Sequence, residues 1–243
     1  HNSRSMFCRV NPACADEHEH GGTDVTWSEL DGLRHGGHPL PTLARAWGAT
    51  AAAAVADVAA AGALVAAASE TETRLIRAED GQTIVELSAA LCVTFVGGGA
   101  ALVCGGRDGR VRAVDTATGA EVFAAAVEAV DAAQGPEGAW IECVVECPDA
   151  PLFAVAAGRS VTVVNSSSWA ILCTLPPLPK PCTALAFLSG DKVAATCYGG
   201  VHVSSALGVG SDWSSTRAYK GALVSLGRSP TAEWLVAGSP AAC

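Results

Sequence analysis

The 243 residues are half apolar, only 16 % are charged, and 24 acidic against 15 basic side chains give a formal net charge of −9. Such a chain can bury a substantial core, as one large all-β domain or two smaller ones, and its charge repels phosphate backbones, so no nucleic acid is expected among its partners. The ten cysteines lack the dense spacing of a disulfide-stapled module, and Cys92, Cys104, Cys173 and Cys197 sit inside apolar runs, as expected for reduced core residues of an intracellular, cytoplasmic protein.

Residues 1–48 form an irregular N-terminal segment. The opening HNSRSMFCRV begins at His1 and has no apolar stretch of the kind a secretory signal needs, so the natural start of the chain is expected upstream. Cys8, Cys14, His18 and His20 supply two thiols and two imidazoles, the composition of a tetrahedral zinc site. Their spacing, C-x5-C-x3-H-x-H, lacks the C-x2-C knuckle, and His18 and His20 fall on opposite sides of an extended chain. No metal site is therefore assigned, and zinc handling stands as the alternative function, with the rest of the chain as carrier. His35 and His38 in RHGGH could join such a cluster, and Val25–Leu30 (VTWSEL) is the strand-like run of this segment.

The alanine-rich stretch Ala49–Ser69 is long enough to cross a membrane. Alanine contributes little to insertion, however, and Asp57 near its middle costs about 2.5–3.5 kcal/mol there. Alanine also favours a soluble helix. A repeat displaces both readings. From Leu91 the chain runs LCVTFV, a GGG break, ALVCGG, an RDG turn, RVRAVD, TATG and AEVFAAA: four short strands, here a to d, with three turns. The pattern recurs before it in TAAAAVADV, ALVAAAS, TRLIRAED and TIVELSAA. After it come IECVVECPDA, LFAVAAG, SVTVVNSSS and WAILCTLP, then CTALAFLSG, DKVAATCYG and GVHVSSALG. Placing Leu75, Val111, Val161 and Val201 in register gives spacings of 36, 50 and 40 residues, the long one holding an inserted loop at Asp131–Trp140. Four strands per unit and a period near 40 predict propeller blades.

These units resemble WD40 repeats. The likeness rests on SPTAEWLVAGS (Ser229–Ser239) and GGRDGRVRAVDTATG (Gly105–Gly119), and it covers residues 49–243. It implies an all-β fold, a propeller of four-stranded blades at about 49–90, 91–130, 139–178 and 181–220 with a partial fifth at 221–243. Where the family closes strand c with Trp-Asp, this chain has Ala78-Glu79, Val114-Asp115, Val164-Asn165 and Ser204-Ser205, and the Gly-His pair that opens a typical repeat is missing. The family's buried His-to-Asp network is therefore absent and apolar packing must replace it. Family members usually close a ring of seven, which predicts that about four and a half blades of seven are in hand. A smaller ring completed by the N-terminal segment is the alternative.

Chemistry finds little purchase. Gly97, Gly98 and Gly99, with Asp115 18 positions after Gly97, imitate a dinucleotide-binding turn. Only AALVCG separates Gly99 from the next turn, against roughly 12 residues for a helical crossover, and Leu102 stands where a third glycine belongs. An a–b hairpin turn is predicted instead. No G-x-S-x-G is present. His202 sits within strand c, and Cys143 and Cys147 face the same side of strand a without a basic neighbour. Neither enzyme activity nor a cofactor is expected.

What remains is surface. In WD40-like propellers partners dock on the rim formed by the b–c and d–a loops, and by position these loops offer Glu70, Thr71 and Glu72, then Arg107 and Asp108, then Arg159, then Tyr198. Arg and Tyr are enriched at interface hot spots, whereas Asp108 is expected to fix its own turn with Gly109. The resemblance therefore implies a non-catalytic scaffold for other proteins, with Glu70, Glu72, Arg107, Arg159 and Tyr198 as contact residues and no membrane partner.

Overall fold

A computed structural model describes residues 34–35, 38–39, 53–130, 140–189, 192–207, 212–218, 221–229 and 235–239. The chain divides into two compact units, 1–45 and 46–243. In the first, β1 (Arg34–His35) pairs antiparallel with β2 (His38–Pro39), His35 opposite His38. Cys8, Cys14, His18, His20 and VTWSEL lie outside the described residues.

The second unit is built of antiparallel meanders. β3 (Val55–Ala61), β4 (Leu64–Ser69), β5 (Glu72–Arg77) and β6 (Thr83–Ser88) form the first sheet. β7 (Cys92–Val96), β8 (Ala101–Gly105), β9 (Arg110–Asp115) and β10 (Glu121–Ala126) form the second. β11 (Ile141–Glu146), β12 (Leu152–Ala157), β13 (Ser160–Asn165) and β14 (Ile171–Thr174) form the third. β15 (Cys182–Ser189), β16 (Lys192–Cys197), β17 (Gly200–Ser205) and β18 (Ser214–Ala218) form the fourth, and β19 (Ser225–Arg228) pairs with β20 (Leu235–Gly238) in a two-stranded sheet. The first strands β3, β7, β11, β15 and β19 pack in sequence against one another, while the fourth strands lie at the outer edge. This is the arrangement of propeller blades, four complete and one of two strands.

The described part of the alanine-rich stretch is a hairpin, not a helix: β3 and β4 turn about Gly62 at φ 56°. Tertiary packing overrides alanine's helix preference. Alternate residues Ala66 and Ala68 are fully buried against the larger Leu75, Phe95 and Leu102, so small and large side chains interdigitate between the two sheets. Two further layers follow the same plan. Ile141, Val103 and Phe153 fill the space between the second and third blades, and Leu152, Val161 and Phe187 that between the third and fourth.

The structure corrects the register of strand c in the first blade. The four strands begin at residues 72, 110, 160 and 200, so the spacings are 38, 50 and 40, and Thr73, not Leu75, matches Val111, Val161 and Val201. Side chains alternate with period 2, so a slip of two leaves every residue on its proper face and hydrophobic pattern cannot detect it. Thr73 occupies a core position, fully buried, with a hydroxyl that finds no hydrogen-bond partner. Ile76-Arg77 thus takes the place assigned above to Ala78-Glu79. The long spacing lies in the d–a connection 127–140, of which 131–139 are outside the described residues.

Two features recur that no residue pattern announces. Every c–d pair shifts register once, at Leu75/Ile76, Glu121/Phe123, Val163/Val164 and Val201/His202. Such bulges add the local twist a blade requires. The c–d turns of the second and third blades share a cap as well. Asp115 Oδ1 accepts from the N–H groups of Ala117 (3.1 Å) and Thr118 (2.8 Å), and Asn165 Oδ1 from those of Ser167 (2.9 Å) and Ser168 (2.8 Å). The c–d turns of the first three blades end in a left-handed residue, Gly81 (φ 73°), Gly119 (φ 72°) and Trp169 (φ 58°) in that order.

Candidate functional site

Strand register decides which loops share an end. Cys92 at the start of β7 faces Gly105 at the end of β8, so each d–a connection meets the b–c turn of its own blade, and the a–b and c–d turns gather at the opposite end. Backbone hydrogen bonds stitch the first of these ends from blade to blade. Ala90 N–H donates to Ser69 O (3.1 Å), Ile141 N–H to Gly106 O (3.0 Å) and Cys182 N–H to Gly158 O (2.7 Å). The turns bearing the candidate residues are thus held at fixed mutual positions.

Glu70 and Arg107 come together. Arg107 Nη2 donates to Glu70 Oε1 between the b–c turns of the first and second blades. The Arg107 guanidinium also lies 4.6 Å from the ring centroid of Trp140, the residue that leads into β11. One arginine therefore joins three successive blades. Beneath it lies a cleft of about 330 Å³, lined by Glu70, Ser88, Ala89, Leu91, Arg107 and Arg112 among others. Trp140, still 39 % exposed, ends the inserted loop Asp131–Trp140 and is a contact residue that sequence position does not single out. Its signal was an aromatic residue ending a polar, glycine-containing stretch just before an apolar run.

Asp108 serves its own turn. Its carboxylate accepts from Arg110 N–H (3.1 Å) and pairs with Arg112 (2.5 Å). Partial burial pushes its carboxyl up, but these donors outweigh that and hold it below the ordinary value. Glu72 is the first residue of β5, not a loop residue, and pairs with Arg74 at 2.8 Å. Arg159 in the third b–c turn donates through Nε to Leu178 O, while its own carbonyl accepts from Leu178 N–H (2.9 Å). Its guanidinium thereby braces the connection into the fourth blade. Tyr198, in the fourth b–c turn, is 63 % exposed. Glu70, Arg107 and Trp140 form one cluster, while Arg159 and Tyr198 occupy the same end on later blades.

The opposite end carries anchors across blades. Gly97, Gly98 and Gly99, at φ 65°, 67° and 98°, make the a–b turn of the second blade, and Gly97 N–H donates to Glu146 Oε1 of the third at 2.8 Å. Burial raises the Glu146 carboxyl, opposed by the N–H donors of Gly97 and Gly98. Arg228 in β19 reaches Asp149, in the a–b turn of the third blade, at 2.9 Å.

Nucleophilic chemistry is disfavoured by the same packing. Burial pushes the Cys104 thiol up to about 12 and Cys143 up to about 11, so both are protonated near neutrality. Cys147 is buried in the core beside Cys143, and partial burial lowers the His202 imidazole below its ordinary value. Among the described residues no three His, Cys, Asp or Glu side chains are grouped to hold a metal ion, and no helix is long and apolar enough to cross a membrane.

No family model and no curated protein sequence matches the chain. Solved structures do match it. A chain of a mitotic checkpoint complex superposes with a TM-score of 0.63 at 15 % identity, over 76 % of this chain and 58 % of that one. U3-55K gives a TM-score of 0.61 at 14 % identity, over 72 % and 55 %. The WD40 repeats of RRP9 give 0.60 at 13 %, over 72 % and 54 %. The chain thus spans rather more than half the length of each, and its fold is that of a WD40-like propeller.

Proposed function

We propose that this WD40-like propeller is a non-catalytic scaffold that holds protein partners on the rim formed by its b–c turns and d–a connections. The observation that carries the reading is the Glu70–Arg107–Trp140 cluster, which sets an arginine and a half-exposed tryptophan at fixed positions over three blades. Arg and Trp, with the exposed Tyr198 further along, are the side chains that dominate protein interfaces. Rigid presentation lowers the ordering cost of binding, so a few such anchors suffice. The boundaries of the scaffold are residues 49–243. One matched structure belongs to a protein complex, which agrees with this reading.

The test replaces Arg107 and Tyr198 together by alanine. Arg159 is left intact because its side chain braces a neighbouring connection. The expected outcome is loss of co-purifying protein partners with an unchanged circular dichroism spectrum. Retention of the same partners by the folded double variant would overturn the rim assignment.

A further inference from the structure

The register of the fourth blade sets two thiols face to face. Cys182 opens β15, Cys197 closes β16, and they are direct partners across the sheet, both fully buried and both free. The Cys182 N–H is committed to Gly158 O of the preceding blade at 2.7 Å, so it does not bond across to Cys197. A bulge follows directly at Cys182/Ala184, and opposed residues of an antiparallel pair have Cα atoms about 4.5–5.5 Å apart, within the range a disulfide spans. Equivalent positions in the other blades hold Val55/Ser69, Cys92/Gly105 and Ile141/Ala157, so among the complete blades the fourth alone carries the pair.

We propose that Cys182 and Cys197 are a site of reversible oxidative modification, closing to a cross-strand disulfide by exchange with a small-molecule disulfide such as oxidised glutathione. Cys197 reacts first. It borders the turn of the exposed Tyr198, and although burial raises its thiol, the backbone and charge of Lys180 act in the other direction, whereas burial lifts Cys182 well above the ordinary value. The Cys197 thiolate attacks one sulfur of oxidised glutathione and expels the other half as a thiolate. The Cys182 sulfur then attacks the Cys197 sulfur and expels the second glutathione. Two protein thiols are oxidised, one disulfide is reduced, and the two cysteine protons end on the two released glutathione thiols. Because both sulfurs are buried, exchange proceeds through local opening of the strand ends and is slow. Exchange with reduced glutathione runs the same two steps backward, which makes the modification reversible.

The experiment uses the full, folded chain incubated with oxidised glutathione, then denatured, alkylated and mapped by peptide mass spectrometry. The expected product is a peptide linked through Cys182 and Cys197, which disappears on adding reduced glutathione and is absent from C197S, where Cys182 is recovered alkylated. Recovery of both cysteines alkylated from the treated wild-type chain would overturn the proposal. So would a link from Cys182 to the neighbouring Cys143, or a glutathione adduct on Cys197 that never resolves.

Discussion

Trp169 stands in a backbone conformation that belongs to glycine, and substitution there separates two opposed energies. It occupies the place of Gly81 and Gly119 with φ 58°, a left-handed geometry costing a side-chain-bearing residue about 1–2 kcal/mol. Its indole is half-buried, stacked on Phe123 at 5.6 Å and edge-on to Phe153 at 6.2 Å, so it joins β10 of the second blade to β12 of the third. Roughly 100 Å² of buried ring at 25 cal/mol per Å² contributes about 2.5 kcal/mol, and two aromatic pairs add about 1–3 kcal/mol. Trp169→Gly loses all of that and regains the strain, a net loss of about 1.5–4.5 kcal/mol. Trp169→Ala loses the same packing and keeps the strain, so it is less stable than the glycine variant by about 1 kcal/mol, the reverse of the usual order in sheets. Urea unfolding followed by circular dichroism should therefore rank the midpoints Trp, Gly, Ala, with Trp and Gly about 1 M apart. An alanine variant at least as stable as glycine would refute the strain, and a glycine variant matching the wild type would refute the aromatic contribution.

Glu146 gives a pH signature: burial lifts its folded carboxyl above the 4.5 of the free group, so the folded chain holds the extra proton in that window. Its contribution to stability is fullest below 4.5 and is lost as pH rises through the folded value, a slope that Glu146→Gln should flatten in midpoints measured across pH 4–7. Gly105→Ala would drive a methyl into Ile141 Cγ2 and to 2.8 Å from Cys92 Sγ, between two blades. A loss of about 1–3 kcal/mol is expected by urea titration, and an unchanged midpoint would show that the blades part freely there. Asp115→Ala removes the acceptor for Ala117, Thr118 and the Thr118 hydroxyl and should lower the melting temperature. Asp115→Asn should not, because Asn165 caps the equivalent turn of the third blade.

Strand count and order were legible because each turn carries its own punctuation: GGG after β7, RDG after β8 and TATG after β9 fix three boundaries within 25 residues. The first blade was harder. Its first two strands, β3 and β4, are rich in alanine, whose small volume fits between sheets but whose intrinsic preference is helical, and its buried Thr73 hid the true register by looking polar. The fourth strand of the fourth blade, β18 (SSTRA), carries no apolar alternation at all and went unassigned; pairing to β17 holds it. For the candidate site, sequence position alone brought out Glu70, Arg107 and Tyr198 as turn residues. It could not show that Arg107 meets Glu70 and Trp140, 37 and 33 residues away, since that contact depends on the angle between blades. Nor could it show that Arg159 is engaged by Leu178, because the partner is a backbone carbonyl that no residue type reports.

The triple glycine illustrates how far a motif argument carries. Successive left-handed residues bring consecutive N–H groups toward one side of a turn, which is why glycine-rich loops suit anions. At Gly97 and Gly98 that property is kept, yet the anion is the carboxylate of Glu146 from the next blade. A dinucleotide would need a helix N-terminus behind the turn, and here β8 follows instead, so the donors have only their own neighbour to serve. The same logic holds elsewhere in the second unit. Asp57 of the first blade accepts Val93 N–H of the second at 2.9 Å, and Arg228 crosses to Asp149. Polar side chains that could have bound ligands are engaged in holding one blade to another. These contacts and the apolar layers fix the angle between blades. That angle in turn sets where Arg107, Trp140 and Tyr198 stand.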